Sequence, residues 1–215
     1  FHGGGLSGGN RHIPGEFMDQ RFLVVPVNYR LFPRAKCAEA IEDAAAAVAW
    51  TMKNIEDFGG DSNKVTVSGH SAGGYLTAMV GMNPQYLARH GLKNTDLAAL
   101  YPISGQMTVH FQVVAERKTG EKGGANNPLE INEFAPLFHT TTPISPIHLL
   151  VGDPKLEWPA RVEENALLAA MLRRTKENKV EYHSYPDTNH GSCGVPARAY
   201  IQAALNKMAE SPAAE

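Results

Sequence analysis

A doubly wound, mostly parallel α/β sheet is the fold this sequence predicts, and three observations predict it. Short apolar, β-branched runs alternate along the chain with stretches of helical periodicity, the pattern of strands covered on both faces by helices. One of these runs, Val65-Thr66-Val67-Ser68, enters Gly69-His70-Ser71-Ala72-Gly73 and then a helical stretch from Tyr75, giving strand, sharp turn and helix. With 215 residues, 43% of them hydrophobic, the chain is large enough to bury a central sheet in one domain.

The elements follow in order. Residues 22–29 form a near-continuous apolar run, as a parallel strand covered on both faces would, although Pro26 counts against regular pairing. Over 38–55, Ile41, Ala45, Val48, Met52 and Ile55 recur at three-and-four spacing and predict an amphipathic helix. Phe58-Gly59-Gly60-Asp61-Ser62-Asn63 is turn chemistry, and 64–68 is the strand that delivers Ser71. Residues 97–103 are the next strand. Between 105 and 142 the periodicity fails, which predicts an insertion or lid over the site. Strands at 147–151 and 180–185, a helix at 159–174 with Pro159 near its first turn, and a closing helix at 195–208 complete the chain.

A net charge of -2 with scattered basic residues gives no electrostatic footprint for nucleic acid, and no apolar run approaches the ~18 residues of a membrane span. Neither partner is expected. Cys37 and Cys193 are too few for a disulfide framework and are expected as two free thiols, although one follows the Tyr29 strand end and the other His190, so that both could lie near each other above the sheet. There is no H-E-x-x-H and no paired cysteine spacing, so neither metal nor cofactor is expected.

Two motifs carry chemistry. In G-x-S-x-G the serine sits at a strained turn that exposes its hydroxyl, which makes Ser71 the candidate nucleophile. The run His2-Gly3-Gly4-Gly5 bares consecutive backbone N–H groups, as stabilising an oxyanion requires. With Val27-Asn28-Tyr29-Arg30-Leu31 and Phe58-Gly59-Gly60-Asp61, these motifs resemble those of α/β-hydrolases of the carboxylesterase type. They are most similar to the hormone-sensitive-lipase-like esterases.

The resemblance implies a serine hydrolase acting on carboxylic esters of short to moderate acyl chain, with amidase or formamidase activity and an inactive binding scaffold as alternatives. The N–H groups of Gly4, Gly5 and Ala72 would receive the oxyanion. The order nucleophile, acid, histidine points to Ser71, Asp153 and His190. Of nine histidines, His190 alone occupies a glycine-flanked loop after the last strand. The family carries its acid in a run such as D-P-L-x-D-E, and here Gly152-Asp153-Pro154-Lys155-Leu156-Glu157 offers two acids. Asp153 is preferred because it directly follows the strand, whereas Glu157 precedes a helix start that favours negative charge in any case. In the family the oxyanion loop also follows a central strand preceded by two others. The expectation is therefore an N-terminally incomplete sheet, completed by a missing N-terminal segment or a partner chain, and a chain of residues 1–215 that does not fold cooperatively alone.

Overall fold

The computed structural model describes residues 1–18, 22–124, 127–175 and 177–210. Its elements are α1 (Cys37–Asn54), β1 (Thr66–His70), α2 (Ala72–Met82), α3 (Pro84–Ala88), β2 (Ala99–Ile103), α4 (Phe111–Lys118), β3 (Ile147–Val151), α5 (Arg161–Arg173), β4 (Val180–Ser184) and α6 (Gly194–Glu210). The four strands are parallel and lie in the order β1-β2-β3-β4, each joined to the next through a helical connection. Among the described residues no helix is long and apolar enough to cross a membrane.

Alternation along the strands builds two cores. Leu100 of β2 and Ile147 and Leu149 of β3 face α1, α2 and α5, packing with Ile41, Leu76, Met79 and Leu168. Tyr101, Ile103 and Leu150 point the other way and meet Ala197 and Ile201 of α6. All five residues of β2 are buried, as a central strand requires, while β4 at the edge keeps residues in water. Cys37 packs in the first core and Cys193 in the second, so the two thiols do not meet, and both are free.

α1 buries the stripe Cys37, Ala40, Ile41, Ala44, Ala45, Val48 and Ala49, which recurs at helical spacing. Before its first turn, Glu39 reaches back to accept from the Lys36 N–H at 2.7 Å. Every residue of α2 is buried, because this helix runs between β1, β2 and α1.

The strand expected over 22–29 does not form. This stretch has no regular structure and joins no ladder, and Leu23 and Val25 are exposed. A cavity of about 580 Å³, lined by Phe22 to Val27, Val65 to His70 and parts of α1 and α6, separates the stretch from β1. Arg21, at the start of the expected run, lies outside the described residues.

The stretch 105–142 is more ordered than its sequence suggests. Residues 106–115 are buried, and α4 begins at Phe111 with the His110 ring accepting from the Gln112 N–H. The loop before α4 is held by α5. Glu164 Oε2 accepts from the N–H groups of Met107 (2.6 Å) and Thr108 (2.9 Å) and from the Thr108 hydroxyl, and Asn165 donates to the Gly105 carbonyl. Those partners lie 56 to 60 residues downstream, which is why periodicity does not reveal the order. Residues 125 and 126 lie outside the described set. Replacing Glu164 by Leu leaves two buried N–H groups without acceptors. The expected cost is about 2–4 kcal/mol of unfolding free energy, measured by urea denaturation.

Candidate active site

The site is assembled at the carboxyl ends of β1, β2, β3 and β4. Ser71 stands between β1 and α2 with φ 58° and ψ -117°, a conformation that non-glycine residues rarely adopt. The surroundings hold it there. Its N–H donates to the Ile103 carbonyl at 2.8 Å, and its carbonyl accepts from Tyr75 N–H at 3.0 Å as the helix begins. Gly69 and Gly73 allow the turn: a Cβ on Gly69 would come within 2.4 Å of the Gly73 backbone.

The Ser71 hydroxyl donates to His190 Nε2 at 2.9 Å. On the other side of the ring, His190 Nδ1–H donates to Glu157 Oε1 at 2.7 Å. Serine, imidazole and carboxylate thus form one continuous hydrogen-bonded line.

The carboxylate in this line is Glu157, not Asp153, and the sequence expectation is corrected here. β3 ends at Val151, and the chain then makes one tight turn in which the N–H groups of Leu156 and Glu157 both donate to the Asp153 carbonyl. The turn swings Glu157 back under the ring with its side chain fully buried. Asp153 faces the opposite way. It accepts from the N–H groups of Lys155 (2.8 Å) and Asp187 (3.0 Å), and those bonds hold its carboxyl below the ordinary value. Its own N–H donates to the Thr188 carbonyl, so Asp153 anchors the loop that carries His190.

Burial works against the charge on Glu157, but hydrogen bonds from His190, the Ser104 hydroxyl and the Trp158 N–H outweigh it and bring its pKa to about 2. The carboxylate is held ionised beside the imidazole.

Three further contacts fix the histidine. Trp158 stacks on the His190 ring with centroids 4.1 Å apart and 15° between planes. His70, at the variable position of the elbow, donates from Nε2 to the His190 carbonyl at 2.6 Å. Burial lowers the pKa of His70, in keeping with a neutral ring. The Cys193 thiol also donates to that carbonyl, and burial pushes the thiol up to about 12. Sequence reasoning missed His70, Ser104 and Trp158. Only the neighbour of an expected acid and the variable elbow position hinted at two of them.

The glycine loop lies against the elbow. A Cβ on Gly3 would sit 3.4 Å from Ser71 Cβ, and one on Gly5 3.2 Å from the Phe111 ring. Gly4 and Gly5 have φ values of 112° and 64°, and the Gly4 carbonyl turns away to accept from Ser7 and Gly8. The His2 ring stacks on Tyr29 at 4.3 Å, and the Tyr29 hydroxyl donates to the His2 carbonyl. Ala72 is the first residue of α2, where a backbone N–H has no partner within its helix. Among the described residues no group of three or more His, Cys, Asp or Glu side chains is disposed to hold a metal ion.

The family model described as BD-FAE matches residues 1–155, well over half of the chain. The chain belongs to the BD-FAE family. Esterase LipC of Mycobacterium tuberculosis is 27% identical over 208 residues, which cover 88% of this BD-FAE chain and 51% of LipC. Esterase LipQ of the same organism is 24% identical, over 79% of this chain and 42% of LipQ. The chain thus spans about half the length of these curated relatives. Among solved structures, Thermogutta terrifontis esterase 2 phosphonylated by sarin superposes with a TM-score of 0.75 at 21% identity, over 96% of this chain and 82% of its own. A bacterial heroin esterase gives 0.71 at 22% identity, over 98% and 74%. At such identities the likeness establishes the fold, and this BD-FAE chain has the α/β-hydrolase fold.

The depressed Glu157 fixes a pH dependence of stability. Its folded pKa of about 2 lies below the ordinary 4.5, so its stabilisation is complete above about pH 4.5 and is lost as pH falls toward 2. The melting-temperature advantage of the wild type over Glu157→Gln is expected to shrink across that window, as measured by circular dichroism melts between pH 6 and pH 2.5.

Proposed function

We propose that this chain carries the catalytic centre of a carboxylic ester hydrolase, with Ser71 as nucleophile, His190 as general base and Glu157 as the acid that orients it. The observation that carries the reading is the unbroken line from the Ser71 hydroxyl through both ring nitrogens to a buried, ionised carboxylate. LipC, LipQ, Thermogutta terrifontis esterase 2 and the bacterial heroin esterase are all esterases, which supports the same chemistry.

The steps follow from the proton positions. As Ser71 Oγ attacks the ester carbonyl carbon, its proton moves to His190 Nε2, and the ring becomes an imidazolium whose charge Glu157 offsets. The carbonyl oxygen, now an oxyanion, receives the N–H groups of Gly4, Gly5 and Ala72. Collapse breaks the bond to the alcohol, which leaves with the Nε2 proton, and Ser71 keeps the acyl group. Water then attacks with His190 again as base, releasing the acid and restoring the serine.

Phe111 and Trp158, whose rings lie 6.3 Å apart, border this site on the side of the 105–142 stretch. These two aromatic walls support a cover formed by that stretch and an acyl group of short to moderate length. The cavity beside β1 supports a further strand seated there, from a longer form of the chain or from a partner.

Turnover is expected with p-nitrophenyl acetate and butyrate and not with decanoate, while hydrolysis of an aryl formamide alone would favour an amidase. A fluorophosphonate is expected to label Ser71 stoichiometrically and to spare Ser71→Ala. Absence of both turnover and labelling would indicate a binding scaffold.

The acid assignment has its own test. Glu157→Gln is expected to lower kcat by roughly 10³–10⁴-fold, as altering the acid does in other triads, and Asp153→Asn by less than about tenfold. The reverse ranking in two folded variants would return the role to Asp153.

A further inference from the structure

Ser104 directly follows β2 and has φ 46°, a left-handed conformation at a residue that is not glycine. It is fully buried. Its N–H donates to the Leu150 carbonyl at 2.7 Å, extending the pairing of β2 with β3, and its carbonyl accepts from the buried Arg161 guanidinium at 3.1 Å. A strained residue held on both sides keeps its side chain in one direction. That direction is toward the acid and the histidine.

The Ser104 Oγ lies 2.7 Å from Glu157 Oε2 and 2.9 Å from His190 Nδ1. A hydroxyl has one proton to give and two lone pairs to receive with. The ionised carboxylate is the stronger acceptor, so the proton goes to Oε2. Nδ1–H points chiefly at Glu157 Oε1, and a lone pair of Ser104 takes a share of it. The three groups then close a ring in which each donor has an acceptor, and both carboxylate oxygens are fixed. Without the hydroxyl, the remaining contact to Oε2 from the backbone is Gly152 N–H at 3.4 Å. Oε1 would still accept from His190 and the Trp158 N–H, but Oε2 would keep only that long bond and the Cys193 thiol at 4.0 Å, and the plane of the carboxylate would lose its closest tie on that side.

We propose that Ser104 is a positioning residue of this site: its hydroxyl locks the Glu157 carboxylate in the plane that receives His190 Nδ1–H and so holds the imidazole aimed at Ser71. The proposal rests on the catalytic reading given above. It assigns Ser104 no contact with substrate, and so it separates effects on kcat from effects on KM.

The test compares Ser104→Ala, Ser104→Gly and Ser104→Cys with wild type. Alanine removes the hydroxyl and keeps the strain, glycine removes both, and cysteine retains a weak donor. Ala and Gly variants are both expected to lose 10- to 100-fold in kcat with KM unchanged within twofold, and Cys is expected to recover part of the loss. The low-field proton NMR resonance of His190 Nδ1–H, assigned by its absence in His190→Ala, is expected to move upfield or broaden in the Ala and Gly variants.

Recovery of kcat by Gly would assign the effect to backbone strain and overturn the proposal. So would a change in KM alone, or an unmoved resonance together with kcat within twofold of wild type. The resonance is read without substrate, so it decides the role of Ser104 even if no ester is turned over. If the Ala variant does not fold, the Gly and Cys variants carry the same comparison.

Discussion

The backbone of Ser71 is the constraint on which the rest of the structure depends. A residue in that region of φ and ψ costs on the order of 1–3 kcal/mol, and it persists only where its surroundings leave it no alternative. Here β1 delivers the serine, β2 receives its N–H through the Ile103 carbonyl, and α2 starts from its carbonyl. Glycines on both sides permit backbones to approach where no side chain would fit. The strain is carried by the sheet and by a helix with no exposed face, so the Ser71 hydroxyl is held in one direction.

The histidine is built on the opposite plan. Its loop has no regular structure and is fixed by single contacts from several directions: Asp153 to the turn at Asp187 and Thr188, His70 and Cys193 to the His190 carbonyl, and Trp158 to the face of the ring. None of these ties is strong alone. Together they leave the ring one orientation, in which Nε2 meets Ser71 and Nδ1 meets Glu157. Asp153, expected as the acid, belongs to this scaffold.

How much could be read beforehand follows from how local each feature is. The order of strands and helices, the elbow and the glycine run are short-range patterns, and the α/β architecture, the place of Ser71 between a strand and a helix and the place of His190 after the last strand were legible from them. The choice between Asp153 and Glu157 was not, because one turn after β3 decides which carboxylate swings under the ring. The apolar run at 22–29 reads as a strand by composition, yet a strand is defined by a partner, and the cavity beside β1 keeps that partner away. The order in 105–115 comes from Glu164 and Asn165 on α5, a distance in sequence that no window spans. Ser104 looks like an ordinary residue after a strand until the folded chain sets its hydroxyl between two ionisable groups.

Phe111 touches both the glycine loop and the aromatic wall. The same ring leaves little room for a side chain at position 5, so the glycine there is required by packing as well as by its positive φ. A smaller residue at 111 opens space for a bulkier group and at the same time withdraws support from Gly5. Under the proposed esterase reading, breadth of substrate and speed of turnover are therefore linked at this position, and a variant of wider scope would have to restore the lost support from another quarter.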